Sequence, residues 1–352
     1  MSKLKFALLV PLYEAKERSL EFLKIFKEDD FDYFVLVNDG SSEEYDEMYS
    51  RIDNETVFNV VSYRGNMGKG FALKFGIKKI LYDHKDVDFI ITADGDGQHC
   101  YEDILRLKEK AIDNPHKLIL GNRDLKGDNV PSKSKAGNNL SNFYFKVATL
   151  RKIDDTQTGL RAIPNNLFDL AISIKGDRYD YEMNFLIEAN KAAQFVGMPI
   201  KTIYEDNNSG SHFHPIRDTF RIYRYPTNML IITLASLFLD LFFFAISYKF
   251  FFNNDALLSS FLAGTISSLF SFIFVTYIIS INSKNLAAIS IFNLIFALVF
   301  FILGILFTHL FTFTDLNMIV ARIIVIFSLL LIAVLFRITY RMIANHFIHK
   351  RH

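Results

Sequence analysis

The 352-residue chain contains one cysteine and no tryptophan, and it carries almost no charge after Pro226. A single cysteine excludes a fold built on disulfide bonds. After Pro226 there are only seven Lys or Arg and three acids, whereas residues 1–225 hold 32 basic and 35 acidic residues. The net charge of +1 argues against nucleic acid as the main partner, because phosphate binding usually needs a basic excess. We therefore predict a soluble domain followed by a membrane domain.

Four apolar stretches follow Pro226. Each has the roughly 20 residues that a helix needs to cross a hydrocarbon core about 30 Å thick. Backbone groups in lipid must bond internally, so each stretch is predicted to be a helix. The stretches are residues 228–251, 256–281, 285–310 and 317–338.

Lys and Arg residues beside these stretches predict their orientation, because short cytoplasmic loops carry an excess of positive charge. Bases precede the first stretch and follow the second and the fourth, and Lys249 is the one exception to the alternation. The amino-terminal apolar run Phe6–Leu12 lacks the cleavage site of a signal peptide. We expect a multi-pass protein of the inner (cytoplasmic) membrane with both termini and the soluble domain in the cytoplasm.

Asp240 lies near the middle of the first apolar stretch, where a charge is costly and is usually functional. The alternative is a protonated or paired carboxylate that orders the helix bundle. Arg322, about one turn into the fourth stretch, is a candidate partner.

In residues 1–225, apolar runs of strand length alternate with helical patterns. This alternation predicts an α/β domain with a mostly parallel sheet. Ligands of such sheets bind beyond the carboxyl ends of the strands. Three polar clusters stand there, at residues 11–14, 38–42 and 94–99.

Asp94 and Asp96 directly follow a predicted buried strand, and Gln98 adds an amide oxygen. Hard oxygen ligands at this spacing suit Mg²⁺ or Mn²⁺, which take few protein ligands and complete their shell with phosphates and water. Such a metal would neutralise charge on a leaving diphosphate. The alternative is a solvated acidic turn.

The segment Asn66–Gly70 resembles a phosphate loop but lacks the Walker pattern, because Tyr63 and Gly70 replace its first glycine and its Ser/Thr. A helix that begins at Lys69 can still present backbone amides and a cation to an anion. The alternative is an ordinary glycine turn that enters a helix.

Seven motifs in their order along the chain resemble those of the family 2 glycosyltransferases of the polyprenyl-phosphate type, which include dolichol-phosphate mannose synthase and bactoprenol glucosyltransferases. The motifs are at residues 10–14, 37–42, 66–70, 92–99 with 103–104, 121–123, 155–161 and 211–213. Residues 226–352 resemble the GtrA-like four-helix membrane domain. The resemblance implies a GT-A nucleotide-sugar-binding fold, a nucleotide sugar and Mn²⁺ or Mg²⁺.

The resemblance also implies roles for single residues. Nucleotide-binding positions would be Pro11, Tyr13, Glu14, Asp39, Lys69, Asp94, Gly95 and Asp96. The metal would be held by Asp94, Asp96 and Gln98. The acceptor phosphate would meet Arg123 and one of Lys133 or Lys135, and Glu182 is either a contact to sugar hydroxyls or an exposed helix acid. Catalysis would rest on Asp94, Asp96 and Arg123.

The implied reaction moves a hexose or N-acetylhexosamine from a UDP-sugar to undecaprenyl or another polyprenyl phosphate, with inversion, for a cell-surface polysaccharide or teichoic acid. A GDP-sugar donor is also compatible. One alternative is a fused synthase and translocator whose membrane half moves the lipid-linked sugar. Another is a processive polysaccharide synthase, which is disfavoured because its Gln-x-x-Arg-Trp motif needs a tryptophan. The sequence leaves open whether the chain forms a homo-oligomer.

The predicted domains are therefore residues 1–210 for the glycosyltransferase, 211–225 for a juxtamembrane segment, and 226–352 for the membrane domain. Arg and His alternate with apolar residues in the juxtamembrane segment at helical spacing. This basic amphipathic pattern is typical of a helix at the surface of an anionic lipid bilayer.

Overall fold

A computed structural model of the chain divides into two compact units, residues 1–222 and residues 223–351. The residues that the structure describes are 4–124, 132–149, 151–201, 224–280, 286–314 and 316–331. Most of the predicted juxtamembrane segment, residues 211–223, and the end of the fourth apolar stretch, residues 332–338, lie outside them.

The first unit alternates strands with helices, as predicted. Its strands are β1 (Phe6–Leu12), β2 (Tyr33–Asn38), β3 (Asn59–Ser62), β4 (Phe89–Thr92), β5 (Leu118–Arg123), β6 (Arg161–Pro164) and β7 (Phe195–Ile200). Its helices are α1 (Glu17–Leu23), α2 (Asp46–Glu55), α3 (Lys69–Asp83), α4 (Tyr101–Ile112), α5 (Ser132–Thr149), α6 (Phe168–Ser173) and α7 (Asp180–Ala192).

The strands form one seven-stranded sheet in the order β3-β2-β1-β4-β6-β5-β7. Every pairing is parallel except those of β6, which runs antiparallel to both β4 and β5. The mostly parallel α/β sheet predicted from the sequence is therefore confirmed.

Strand β1 shows how the sheet builds two cores. All seven of its residues are buried, and successive side chains point to opposite faces. Phe6, Leu8 and Val10 pack with one apolar cluster, whereas Ala7 and Leu9 pack with the other. A strand that is apolar on both faces needs helices on both sides, and this explains its continuous apolar sequence.

The sheet brings the predicted polar clusters to one edge. Strands β1, β2 and β4 are adjacent and parallel, so the residues that follow Leu12, Asn38 and Thr92 emerge together. Arg161 at the start of β6 pairs with Thr92, which places the beginning of this antiparallel strand at the same edge.

The second unit consists of apolar helices in its described residues. They are α8 (Arg224–Ile246), α9 (Ala256–Ser280), α10 (Leu286–Phe311) and α11 (Met318–Leu331). A single π-helical turn, Ser247–Phe251, extends α8. Within the described residues two segments are long and apolar enough to cross a membrane, Leu234–Phe251 and Ala256–Phe274.

One buried ion pair connects all four of these helices. Arg322 of α11 donates from Nε and Nη2 to the two carboxylate oxygens of Asp240 of α8, at 2.8 and 2.9 Å. Ser267 of α9 donates to Asp240 at 3.0 Å, and Arg322 Nη1 donates to Thr308 Oγ1 of α10 at 2.8 Å and to the Gly304 carbonyl at 3.2 Å. Because each guanidinium nitrogen has an acceptor, this geometry supports the interpretation in which Asp240 orders the bundle.

Replacing Arg322 with Leu should destabilise the helical unit by about 3–5 kcal/mol, because a buried carboxylate would lose its partner. The double variant Asp240→Leu/Arg322→Leu should recover most of this loss. Far-UV circular dichroism of the full chain during unfolding in detergent measures both effects, and Lys249→Gln is the surface control. Equal stability of the Arg322→Leu and double variants would contradict the pairing.

Candidate active site

The Asp94 carboxylate is enclosed by three groups at the shared strand edge. Lys69 Nζ lies 2.6 Å from its Oδ1 atom, and His99 Nε2 lies 3.6 Å from its Oδ2 atom. The backbone of Gly159 closes the third side, because a Cβ atom there would lie only 2.3 Å from Oδ2. The carboxylate therefore has a fixed orientation and remains 29% exposed.

Lys69 is held between two acids. It is the first residue of α3, and its ammonium also lies 3.0 Å from Oε1 of Glu182 in the first turn of α7. The Glu182 side chain is only 12% exposed and lies 3.9 Å from the guanidinium of the buried Arg161. The alternative of an exposed helix acid for Glu182 is therefore wrong.

The charges of this cluster stabilise one another. Burial lowers the pKa of Lys69, but the carboxylates of Asp94 and Glu182 outweigh burial and raise it above its usual value. Burial likewise raises the pKa of Asp94, but the Lys69 ammonium and His99 together lower it by more. Asp94 is therefore a carboxylate and Lys69 an ammonium throughout the physiological pH range.

Asp96 and Gln98 continue the turn after Asp94. Asp96 is exposed, and its Oδ1 atom accepts a hydrogen bond from the Gln98 backbone N–H at 2.9 Å. Partial desolvation by the surrounding protein and, next, repulsion from Asp94 raise the pKa of Asp96. Asp96 therefore binds a proton more readily than Asp94 does, so a cation would first meet competition from protons at Asp96 as the pH falls.

The donor set fits a hard divalent cation. Asp94 and Asp96 supply carboxylate oxygens and Gln98 an amide oxygen, which Mg²⁺ and Mn²⁺ prefer. Within the described ranges, three or more acidic, His or Cys side chains nowhere converge as a closed metal cage would require. A metal at this turn would thus need phosphate or water oxygens to complete its shell.

Asp39 holds the predicted phosphate-binding turn in place. It is buried, and its Oδ1 atom accepts hydrogen bonds from Tyr63 Oη at 2.5 Å and from the backbone N–H groups of Met67 and Gly68 at 3.0 Å each. Because these amides are engaged, the anion-binding function predicted for this turn rests on the Lys69 side chain more than on the backbone.

The loops after β1 and β2 are also fixed to each other. Pro11 is buried in β1, and the Glu14 backbone, which has a positive φ of 53°, donates to Ser41 Oγ at 2.8 Å. A hydrogen bond with Glu14 raises the pKa of the Tyr13 hydroxyl. These residues form one wall of the edge, next to Asp39.

Arg123 at the end of β5 makes a two-pronged ion pair with Asp155. Its Nε and Nη2 atoms donate to the two carboxylate oxygens at 2.6 and 2.9 Å, and Asp155 is fully buried. Lys135 is exposed near the start of α5, while the side chain of Lys133 lies outside the described part of the chain. Asp155 thus fixes the orientation of Arg123, and no role was predicted for Asp155 from the sequence.

Sequence reasoning also assigned no role to Gly159, Arg161 or His99. The first two lie in the motif at residues 155–161, and that motif is the one signal that could have identified them. His99 Nε2 is buried without a hydrogen-bond partner, and its position beside Asp94 is visible only in the folded chain.

Comparison with known proteins identifies the family. The sequence profile of glycosyl transferase family 2 matches residues 8–171. An uncharacterized protein of Methanocaldococcus jannaschii is 31% identical over 204 residues, which cover 56% of this chain and 81% of that protein. The chain belongs to glycosyl transferase family 2.

Two further proteins are similar to this glycosyltransferase. The UDP-N-acetylglucosamine–dolichyl-phosphate N-acetylglucosaminyltransferase of Methanococcus voltae is 25% identical over 217 residues, covering 56% of this chain and 86% of that enzyme. A solved structure that is similar to this chain is glucosyl-3-phosphoglycerate synthase from Mycobacterium tuberculosis, in complex with Mn²⁺, UDP and phosphoglyceric acid. It aligns with a TM-score of 0.47 at 13% identity, and the alignment covers 65% of this chain and 78% of that one.

As a member of this family, the protein is an enzyme that transfers a sugar from a nucleotide sugar. Its sheet agrees with the GT-A fold that the motifs imply. The acidic turn at Asp94 and Asp96 lies within the residues that match the family profile, and so does Lys69.

The Gly159→Ala variant should lose most transferase activity, because the added methyl group would displace the Asp94 carboxylate. Overpacking of this kind costs about 1–3 kcal/mol. Gly137→Ala in α5 is the matched control, since a Cβ atom there meets nothing within 4 Å, and it should be neutral or slightly stabilising. Thermal unfolding and sugar-transfer assays of both variants test this, and a fully active Gly159→Ala enzyme would contradict the enclosed carboxylate.

Proposed function

We propose that the chain is a membrane-bound inverting glycosyltransferase that moves a sugar from a nucleotide sugar to a polyprenyl phosphate. The favoured donor is a UDP-sugar. The observation that carries this proposal is the edge of the sheet. There the carboxylates of Asp94 and Asp96 lie with the ammonium of Lys69, and β5 ends at Arg123 in the same direction. Such an edge can hold both the diphosphate of a donor and the phosphate of an acceptor.

On the donor side, Asp94, Asp96 and Gln98 would hold Mg²⁺ or Mn²⁺. The metal would neutralise the diphosphate that leaves the sugar. Pro11, Tyr13, Glu14 and the turn held by Asp39 would bind the nucleoside, and Gly95, between the two acids, would lie next to the diphosphate.

On the acceptor side, Arg123 and Lys135, with Lys133 as the alternative lysine, would receive a phosphate monoester. A guanidinium held in one orientation by Asp155 would bind phosphate oxygens with little further loss of conformational freedom. The phosphate is already an anionic nucleophile at neutral pH, so the protein need not provide a strong general base. Positioning and electrostatic stabilisation would supply the rate enhancement.

The polyprenyl class of acceptor is supported by two independent observations. The Methanococcus voltae relative is named for transfer to dolichyl phosphate. The second unit of this chain exposes large aromatic side chains along apolar helices, including Phe238, Phe261 and Phe327, as lipid-facing surfaces do. We propose that α8 to α11 form a GtrA-like four-span domain that keeps the catalytic domain at the cytoplasmic face of the membrane, where a lipid phosphate would be within reach.

Transfer of labelled sugar into organic-extractable lipid tests the function. A panel of UDP- and GDP-linked hexoses and N-acetylhexosamines is offered with undecaprenyl phosphate and Mn²⁺ or Mg²⁺. We expect one donor to give a metal-dependent product, and Asp96→Asn should lower its rate at least about 100-fold because an electrostatic contact to the diphosphate is lost.

The matched control is Asp113→Asn, which changes an exposed carboxylate at the end of α4 and should leave the rate unchanged. If no donor yields a lipid product while the folded protein binds nucleotide, undecaprenyl phosphate is not the acceptor. That result would point to another acceptor and reopen the alternative of a polymer synthase.

A second test concerns the acceptor site alone. Lys135→Gln should raise the KM for polyprenyl phosphate about two- to fivefold and leave the KM for the sugar donor unchanged, since an exposed ion pair contributes up to about 1 kcal/mol. Lys146→Gln, near the other end of α5, is the control for loss of charge on this helix. An equal rise in both KM values would place Lys135 outside the acceptor site.

A further inference from the structure

We propose that Lys69 and the divalent cation compete for the Asp94 carboxylate, and that Glu182 retains the Lys69 ammonium when the cation takes Asp94. This inference rests on the proposed function, because it requires a metal at Asp94 and Asp96. It assigns Glu182 a role as a positioning residue that acts through Lys69.

The competition follows from the surroundings of Asp94. Its Oδ1 atom lies 2.6 Å from the Lys69 ammonium, and its whole carboxylate packs against Gly159, where a Cβ atom would meet Oδ1, Oδ2 and Cγ at 2.3–2.6 Å. The carboxylate therefore cannot turn its other face toward a metal without moving the backbone. A lysine and a divalent cation on one carboxylate also repel each other, so the arrival of one weakens the other.

Glu182 offers Lys69 a second partner within reach. The ammonium is already 3.0 Å from Glu182 Oε1. A lysine side chain can shift its end group by rotating about its four-carbon stem, so it can leave Asp94 and keep Glu182. Moving between the two acids therefore requires no new backbone conformation.

Arg161 keeps Glu182 in place during such a shift. Arg161 is buried, and it donates to the Thr158 carbonyl at 3.0 Å and to the Glu182 carbonyl at 3.3 Å. Its guanidinium also lies 3.9 Å from Glu182 Oε1. Glu182 is thus held at its backbone and has a cation beside its carboxylate, so in the proposed shift Lys69 is the residue that moves.

The charges of the cluster predict coupling between metal and nucleotide. Lys69 and Arg161 balance the charges of Asp94 and Glu182, so a metal must displace Lys69 to reach Asp94, although Asp96 lies outside this balance. A diphosphate that binds with the metal gives the displaced ammonium a new anionic partner. Metal and nucleotide should therefore strengthen each other's binding by the same factor.

The test is a Mn²⁺ titration of the full chain in detergent by isothermal calorimetry, without sugar or acceptor, in the presence and absence of UDP. Lys69→Gln should tighten Mn²⁺ binding at least about tenfold, as expected when an opposite charge next to a carboxylate is removed. It should also reduce the gain in Mn²⁺ affinity that UDP produces. Glu182→Gln should weaken Mn²⁺ binding several-fold, because Lys69 would then pair with Asp94 alone.

Lys74→Gln is the matched control. Lys74 is also on α3, and its ammonium lies 2.5 Å from Asp177, so its loss removes the same charge from the same helix. We expect its Mn²⁺ affinity to match that of the wild type. If Lys69 only stabilised the fold, replacing it with Gln would not tighten Mn²⁺ binding.

Three outcomes would overturn the inference. Unchanged or weaker Mn²⁺ binding by folded Lys69→Gln would overturn it while leaving the proposed function intact. If Lys69→Gln does not fold, unchanged or tighter Mn²⁺ binding by Glu182→Gln would likewise overturn the inference and leave the proposed function intact. A wild-type chain that binds no Mn²⁺ with or without UDP would overturn both this inference and the metal dependence of the proposed function.

Discussion

The Lys69 ammonium between Asp94 and Glu182 is the interaction on which the catalytic edge depends. Parallel strands bring acidic loop residues together at one edge, and two carboxylates in a partly buried site raise each other's energy unless a cation lies between them. Lys69 provides that cation at 2.6 and 3.0 Å, and the buried Arg161 supports the second acid. Gly159 makes the arrangement sterically possible, because any side chain there would occupy the place of the Asp94 carboxylate.

A buried carboxylate also needs a cationic partner in the helical unit, where that partner is an arginine. Asp240 is a buried charge among apolar helices, and Arg322 neutralises it with two parallel hydrogen bonds. The third guanidinium nitrogen of Arg322 is engaged by Thr308 and Gly304. A lysine between two acids can exchange partners, whereas an arginine whose three guanidinium nitrogens all have acceptors holds one geometry. The first arrangement suits a site that binds ligands and the second suits a structural contact.

Several features were predictable because they follow from local patterns. Alternating apolar strands and helical segments predicted the mostly parallel sheet, and the polar residues after β1, β2 and β4 predicted the edge that carries the site. Strands β6 and β7 were not predicted. The four residues of β6 begin with the buried Arg161 and end with Pro164, and β7 contains Gly197 and Pro199, so neither has the apolar pattern of a strand.

Local patterns were enough to predict the acidic turn at Asp94 and Asp96 and the glycine turn before Lys69. They also indicated Asp240 with Arg322 as its candidate partner, since charges are rare in apolar helices. The pairing of Lys69 with Glu182, a residue far along the chain, is visible only in the folded protein. That pairing requires α3 and α7 to touch, and they do so at Gly70, where a Cβ atom would lie 2.4 Å from Tyr181 Cβ. Contacts between elements distant in sequence depend on how helices pack on the sheet, which no local pattern encodes.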